Sequence, residues 1–237
     1  YDKTTEKSEQ YSMSQEDKGQ GVLVNDWIRA LYYDSHGLLW IGTVSGISCM
    51  DPHSGSFHPL GWERQFKGRQ CFAIFETVDG NMLVGTEEGL YHYDRQRGEF
   101  ALFPGTTEML SKSIYSIVTD RGGDLWMSTV NGIWHYDIKR QSLDSYVYGD
   151  GLDVHEYVVG ARLTPDDGRI MFGNNDGITV FFPNMVKGSG VQLSEVYLTS
   201  IIVDGKPMDC RSRSFELSSD VSSFVMEFSL LDYRKTD

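Results

Sequence analysis

Four polar residues with unlike side chains recur at one position of a repeated sequence pattern. They are Asp26, Arg69, Lys112 and Tyr157, and successive members are 43, 43 and 45 residues apart. A carboxylate, a guanidinium, an ammonium group and a phenol together offer donors, acceptors and a ring face, which suits an asymmetric polar ligand such as a sugar chain. The alternative is that all four are solvated loop residues. We include them in a predicted ligand site.

Arg162 joins this predicted site for a different reason, because it replaces an apolar residue. Its equivalents in the repeated pattern are Leu31, Ile74 and Ile117. A charged side chain at an otherwise apolar position needs a partner. That partner is either a carboxylate of the protein or the ligand, and the sequence leaves both open.

Motifs of known catalytic and metal chemistry are missing from the sequence. It contains no Gly-x-Ser-x-Gly elbow, no phosphate-binding loop and no Cys-x-x-Cys pair. His155-Glu156 begins like a zinc-binding helix motif but lacks the second His. We therefore expect no catalytic residue, no metal site and no cofactor.

Other residues that could do chemistry recur with the pattern, which favours a structural role. Asp34 and Asp120 each precede a glycine of the repeat by three residues, and we interpret them as turn formers. His92 and His135 share one strand position and are also interpreted as structural. Carboxylates are plentiful, but nothing in the sequence pairs two of them as an acid and a base.

The pattern that carries these residues occurs four times. Each copy runs from one glycine through a β-rich stretch to a second glycine, at residues 37–47, 80–90, 123–133 and 168–178. Four short strands in a unit of about 40 to 45 residues are typical of a β-propeller blade. The alternative is a β-sandwich with coincidental hairpins. We predict an all-β fold with four blades, at residues 25–60, 68–103, 111–146 and 156–183.

Within a blade, the repeat also predicts which residues are structural. Trp40 and Trp126 share a mid-strand position that is Leu83 and Met171 in the other copies, so we predict buried core residues and not platforms for a sugar. The recurrent glycines are predicted to adopt backbone angles denied to other residues.

The sequence outside the four blades predicts further pieces. Tyr1-Asp2 matches the residues that close the third strand of each copy, so the propeller, residues 1–183, is predicted to begin with the tail of another blade. Residues 184–190 are predicted to form a linker because they are rich in glycine and serine. Residues 191–237 contain alternating strand patterns and are predicted to be the truncated start of a second β-domain.

Composition limits the partners. The net charge is −13, from 21 Lys and Arg against 34 Asp and Glu, which disfavours nucleic acid and anionic membrane surfaces. No apolar run approaches the roughly 20 residues that cross a bilayer. The three cysteines form no disulfide framework and are expected as free thiols, at Cys49, Cys71 and Cys210.

The copy Asp34-x-x-Gly37-x-Leu39-Trp40-Ile41-Gly42-Thr43-x-x-Gly46-Ile47 resembles the two-component regulator propeller repeat. Residues 148–183 resemble the last blade of that family. Residues 196–205 and 228–233 resemble the start of the immunoglobulin-like domain, named for its three tyrosines, that follows those propellers. Together these stretches cover nearly the whole chain.

This resemblance implies the periplasmic sensor region of a membrane-anchored hybrid sensor histidine kinase of the Bacteroidetes type. It implies a carbohydrate or other small polar ligand, often an oligosaccharide, and signalling to gene regulation, with the kinase outside this sequence. A homodimer formed through the full ectodomain is left open. So are two alternatives: a protein-interaction scaffold, indicated by a large exposed apolar patch, and a glycan-active propeller enzyme, indicated by paired carboxylates in a cleft.

Overall fold

The computed structural model describes residues 6, 8–13, 23–58, 68–147, 156–186, 196–208 and 220–230. The regular structure in these ranges is almost entirely β-strand, as predicted. The chain divides into two compact units, residues 1–189 and residues 190–237. Tyr1-Asp2, most of the predicted linker, His155 and Cys210 lie outside the described residues.

The first unit contains four antiparallel sheets in sequence order, one at each predicted blade. Blade 1 consists of β1 (Ile28–Tyr33), β2 (Leu39–Thr43), β3 (Gly46–Met50) and β4 (Phe57–His58). Blade 2 consists of β5 (Cys71–Glu76), β6 (Met82–Thr86), β7 (Gly89–Asp94) and β8 (Glu99–Leu102). Blade 3 consists of β9 (Ile114–Thr119), β10 (Leu125–Thr129), β11 (Gly132–Asp137) and β12 (Ser142–Tyr146). Blade 4 has three described strands, β13 (Tyr157–Leu163), β14 (Ile170–Asn174) and β15 (Gly177–Phe181).

The hairpin between the second and third strands of a blade is closed by a threonine. The Thr43 hydroxyl donates to the carbonyl of Gly46 at 2.9 Å, and the same oxygen accepts the N–H of Ser45. Gly46 has φ +142°, a conformation that favours glycine. Thr86 and Thr129 repeat this arrangement in the next two blades. The recurring Thr-x-x-Gly sequence therefore favours a tight hairpin at this place in each of the three blades.

The glycine at the centre of the second strand has a different cause. Gly42 lies opposite Ala30, and a Cβ at Gly42 would stand 2.6 Å from the sulfur of Cys71 in blade 2. A Cβ at Gly85 would likewise stand 2.8 Å from Cγ2 of Ile114 in blade 3. The recurrent glycines are predicted to adopt backbone angles denied to other residues, and Gly37, with φ +82°, does so. Gly42 and Gly85 are instead explained by the close approach of the next blade.

The hydrophobic core lies between successive blades, so no blade buries its apolar face alone. Trp40, in β2, packs with residues of β5 and β6, and its ring meets Tyr93 edge to face at 5.4 Å. Trp126, in β10, packs against Phe181 of blade 4 at 5.0 Å. The exposed fractions of Trp40 and Trp126 are 1% and 2%, which confirms them as core residues.

The two described cysteines are buried free thiols, as expected. Burial raises the pKa of both Cys49 and Cys71 to about 12. Each thiol therefore stays protonated and behaves as a small apolar side chain.

The second unit contains one three-stranded antiparallel sheet. Its strands are β16 (Val196–Val203), β17 (Lys206–Met208) and β18 (Phe224–Leu230), in the order β17-β16-β18. The immunoglobulin-like identity of this unit stays a prediction. Across the described residues of both units, no helix has the length and hydropathy needed to cross a membrane.

Trp40→Ala is expected to lower the free energy of unfolding by about 3 to 5 kcal/mol, because it removes a large side chain from the core between two blades. Trp27→Ala is the matched control, since Trp27 is 69% exposed and should cost little. Urea unfolding followed by circular dichroism measures both. Equal stability of Trp40→Ala and the parent protein would contradict the assignment.

Candidate functional site

Three of the predicted ligand residues lie just before the first strands of blades 1 to 3. The carboxylate of Asp26 is exposed and accepts the N–H of Met13 at 2.7 Å. Lys112 is partly exposed, and its backbone N–H donates to the carbonyl of Met109. Asp26 is thus engaged in anchoring an earlier segment, while the Lys112 ammonium group lies at the blade surface.

Arg69 is held by residues of its own blade. Its Nε lies 2.7 Å from a carboxylate oxygen of Glu88, and its guanidinium carbon lies 5.3 Å from the ring centre of Tyr91. Glu88 is half exposed, so this pair is weak and remains accessible to water. A ligand carboxylate or hydroxyl could compete for the same guanidinium.

Tyr157 lies in the core instead of facing solvent. It is the first residue of β13, is 1% exposed and packs edge to face on Phe172 at 5.9 Å. Its hydroxyl donates to the hydroxyl of Thr179 at 3.1 Å. The ring is therefore closed to a stacking sugar in this structure, although the residue holds the predicted repeat position.

Arg162 extends from β13 toward blade 2. Its Nη2 lies 3.4 Å from the carbonyl oxygen of Ile74, and burial lowers the pKa of the guanidinium from its ordinary value. Among the described residues no carboxylate pairs with Arg162. Within the described ranges, the acceptor of Arg162 is thus a backbone carbonyl and not the carboxylate that was one of the two expected partners.

Asp34 and Asp120 are turn formers, as interpreted, and each also binds a tryptophan. Asp34 Oδ1 accepts the N–H groups of His36 and Leu38, while Oδ2 accepts the indole N–H of Trp40 at 2.7 Å. Asp120 Oδ2 accepts the indole N–H of Trp126 at 3.1 Å. Each aspartate thus supplies the acceptor for a buried indole N–H, which would otherwise be left without a hydrogen bond.

Sequence reasoning missed this pairing, although a signal for it was present. The copies without the aspartate have Thr77 or Pro165 in its place, and six residues later they have Leu83 or Met171 instead of tryptophan. Acceptor and donor are thus present together or absent together.

The junction between blades 3 and 4 forms a cavity of about 610 Å³ that is open to solvent on one side. One wall comes from Phe182, Pro183 and neighbouring residues of blade 4. The other wall comes from blade 3 and carries acidic and aromatic side chains, including Asp120, Asp124, Trp126, His135 and Asp144. Sequence reasoning placed no site here because these residues are far from the start of the first strands.

This cavity holds carboxylates close together, and Asp120 and Asp124 both accept hydrogen bonds from the protein. Asp120 accepts hydrogen bonds from the N–H groups of Gly122 and Asp124 and from Trp126. Asp124 Oδ1 accepts the N–H of Ile138 at 3.1 Å. Groups held as acceptors in this way suit the binding of a cation or of a hydrogen-bond donor.

Residues 22–45 match the sequence family described as the two component regulator propeller. The match covers β1 and β2 and includes Asp34 and Trp40. The resemblance inferred from the sequence is thereby confirmed for this copy of the repeat. No curated protein matches the chain.

Solved structures resemble the chain at low sequence identity. One is the extracellular domain of BT3049 from B. thetaiotaomicron, described as a hybrid two component system: TM-score 0.61, 21% identity, covering 90% of this chain and 30% of that one. The extracellular domain of BT4673, a hybrid two component system of the same organism, gives TM-score 0.56 and 18% identity over 86% and 26%. A protein described as a gluconolactonase gives TM-score 0.53 and 12% identity over 66% and 60%. These likenesses establish the propeller fold, and this chain spans less than a third of the two extracellular domains.

Asp34→Asn is expected to lower the free energy of unfolding near pH 7 by about 3 kcal/mol, because the Arg95 guanidinium and the Trp40 indole lose an ionised acceptor. Burial alone would raise the pKa of Asp34, but hydrogen bonds from Arg95, Trp40 and the Leu38 N–H outweigh it and the pKa is lowered. The stabilisation is therefore present above the ordinary value of 3.8 and is lost as the pH falls through the lowered pKa.

Urea unfolding between pH 7 and pH 2.5 tests this. The parent protein should lose stability more steeply below about pH 4 than Asp34→Asn does. Glu99→Gln, on an exposed residue of β8, is the control and should follow the parent. Parallel curves for Asp34→Asn and the parent would show that this carboxylate does not contribute.

Proposed function

We propose that this chain is part of the extracytoplasmic ligand-sensing region of a membrane-bound two-component sensor histidine kinase. The observation that carries the proposal is the two component regulator propeller repeat at residues 22–45, within a fold that resembles extracellular domains of two component systems. The likeness to the BT3049 domain covers 90% of the chain, so it includes part of the second unit. The same likeness supports a periplasmic location, in a protein anchored in the inner membrane of a Bacteroidetes-type bacterium, as part of this proposal.

The ligand that we propose is a carbohydrate or a similar small polar molecule at the end of the inner strands. Arg162 supports this, because its partly buried guanidinium contacts one carbonyl acceptor in the part of the chain that the structure describes and so retains donors for ligand oxygens. Arg69 supports it too, since its partner Glu88 is half exposed. Asp26 and Lys112 add an acceptor and a donor at equivalent positions of the repeat.

Signalling requires that the ligand bind two states of the ectodomain with different affinity. The kinase activity belongs to a part of the protein outside this sequence. The second unit is proposed to be the start of an immunoglobulin-like domain that transmits the change toward the membrane. A homodimer of full ectodomains is one way in which such a change could reach the kinase.

A protein-interaction scaffold is the second candidate, and one observation favours it. Ile178 and Val180 of β15 and the adjacent Phe182 are exposed apolar side chains in one stretch of blade 4. Such a row is typical of a protein contact. In a propeller, however, one blade also covers the face of its neighbour. A glycan-active enzyme receives less support, because the two extracellular domains that resemble the chain belong to two component systems.

Calorimetric titration of the purified ectodomain with a panel of oligosaccharides tests the proposal. We expect one saccharide class to bind, and Arg69→Ala and Arg162→Met each to weaken it at least about tenfold, since a hydrogen bond to a charged group contributes about 1.5 to 3 kcal/mol. Tyr157→Phe keeps the core filled and removes only the hydroxyl, so it tests whether that hydroxyl contributes to saccharide binding. Arg97→Ala is the control, because Arg97 is 79% exposed on an outer turn.

The outcomes separate the parts of the proposal. Binding that neither arginine variant weakens would exclude this end of the inner strands as the site. Absence of saccharide binding, with another class of small molecule bound, would contradict the carbohydrate ligand. Binding of no small molecule at all would favour the scaffold.

A further inference from the structure

An Asp–Trp pair lies at the junction of blades 1 and 2, and a second one lies at the junction of blades 3 and 4. At the first junction, the guanidinium of an arginine also contacts the aspartate. At the junction of blades 1 and 2, Asp34 Oδ2 accepts both the indole N–H of Trp40 and Nη2 of Arg95, the latter at 2.6 Å. Arg95 follows β7, its Nε donates to the carbonyl of Gly80, and its guanidinium lies 5.6 Å from the Trp40 ring centre. A carboxylate oxygen has two lone pairs, and both lone pairs of this oxygen are used.

The junction of blades 3 and 4 lacks the equivalent of Arg95. Arg95 lies six residues after Gly89, which is the second glycine of the repeat in blade 2. The residue six positions after Gly177, the equivalent glycine of blade 4, is Pro183. Asp120 Oδ2 accepts the Trp126 indole N–H, and no second donor to this oxygen occurs in the described part of the chain. Pro183 instead lines the cavity beside Asp120.

Two more potential metal ligands face the same place. Asp124, Asp120 and His135 each offer an atom that lies within 4.8 Å of the other two. In blade 1 the residues equivalent to Asp124 and His135 are Leu38 and Cys49. In blade 2 the equivalents are Asn81 and His92. Blade 3 is therefore the copy in which the aspartate of the Asp–Trp pair gains both a carboxylate and an imidazole.

The imidazole of His135 lies between two carboxylates and against an indole ring. Its Nε2 lies 3.5 Å from Asp124 Oδ2, while its Nδ1 lies 3.7 Å from Asp144 Oδ2 on β12. The ring stacks on Trp126 at 4.3 Å, which fixes its plane. A histidine ligand commonly directs its second ring nitrogen to a carboxylate, which orients the ring and raises its basicity.

The two arginines that line the cavity are engaged elsewhere. Arg121 donates to the carbonyl of Asp166. The guanidinium of Arg140 lies beside Asp137 and is 83% exposed. The carboxylates of Asp120, Asp124 and Asp144 therefore lack a guanidinium among the described residues, and grouped carboxylates without a cation repel one another.

We propose that a divalent metal cation of the Zn²⁺ or Mn²⁺ type binds Asp120 Oδ2, Asp124 Oδ2 and His135 Nε2 in this cavity. The cation takes the place that the Arg95 guanidinium has at the other junction. Mixed carboxylate and imidazole ligands suit these metals, whereas Ca²⁺ and Mg²⁺ prefer oxygen ligands alone.

Three protein ligands leave a coordination position toward the cavity for water or for a ligand oxygen. This proposal departs from the expectation of no metal site and from the purely structural interpretation of His135, both of which stay predictions. It does not rest on the proposed sensor function.

Titration of the chelator-treated protein with Zn²⁺ in calorimetry tests the site. We expect one Zn²⁺ per chain and a raised melting temperature, because the cation binds the folded state. Asp124→Asn and His135→Gln should each weaken binding at least about tenfold, and Asp144→Asn should weaken it by a similar factor through the imidazole. Mg²⁺ should not displace the bound Zn²⁺.

Asp167→Asn is the matched control. Asp167 lines the same cavity but pairs with Arg169 at 2.6 Å, so its loss should leave Zn²⁺ affinity unchanged. Circular dichroism shows which variants are folded. If His135→Gln does not fold, the Zn²⁺ affinity of Asp124→Asn decides the test. Absence of saturable Zn²⁺ binding to the folded protein would overturn the proposal. So would binding that Asp124→Asn and Asp144→Asn leave unchanged.

Discussion

The close approach of each blade to the next is the constraint on which this structure depends. Gly42 and Gly85 have no room for a Cβ because the first strand of the following blade occupies that space. Since three of the four apolar clusters among the described residues lie between two sheets, a blade is stable only when a neighbour covers it. The small residue opposite, Ala30 or Ala73, belongs to the same requirement. Packing between blades thus decides which residues the repeat must keep and which it is free to vary.

The residues that are free to vary are those at the junctions where polar chemistry is found. Asp34 and Asp120 make the same turn and bind the same indole, yet blade 2 brings an arginine to the first and blade 4 brings a proline to the second. The scaffold therefore holds a carboxylate in one place, and the residues around that carboxylate differ from junction to junction. A repeat protein can in this way carry a distinct set of polar groups at one junction when residues on both sides of that junction change.

The fold was predictable from the sequence because its signal is repeated. Four copies of one pattern gave the blade number, the strand register and the burial of Trp40 and Trp126. Tyr157 shows the limit of the same reasoning: its register position resembles that of Arg69, but its ring turns into the core against Phe172. Register predicts where a backbone lies, and it does not predict the direction of a large amphipathic side chain.

The cavity between blades 3 and 4 was not predictable for a related reason. Asp120 and Asp124 lie in the turn between β9 and β10, whereas His135 lies in β11. Their proximity depends on the sheet pairing that places β10 between β9 and β11. Each residue alone reads as a turn or a strand residue. Only the Asp–Trp spacing of six residues was visible in the sequence, and it points to the indole rather than to a ligand.

The thiol of Cys71 makes the opening of the junction between blades 1 and 2 measurable. Its sulfur fills the space left by Gly42, it is fully buried, and burial raises its pKa to about 12. A thiol in that state reacts with an alkylating reagent only when blades 1 and 2 separate and solvent enters. The rate of labelling at this single atom therefore measures how often the propeller opens along that seam, without any added probe.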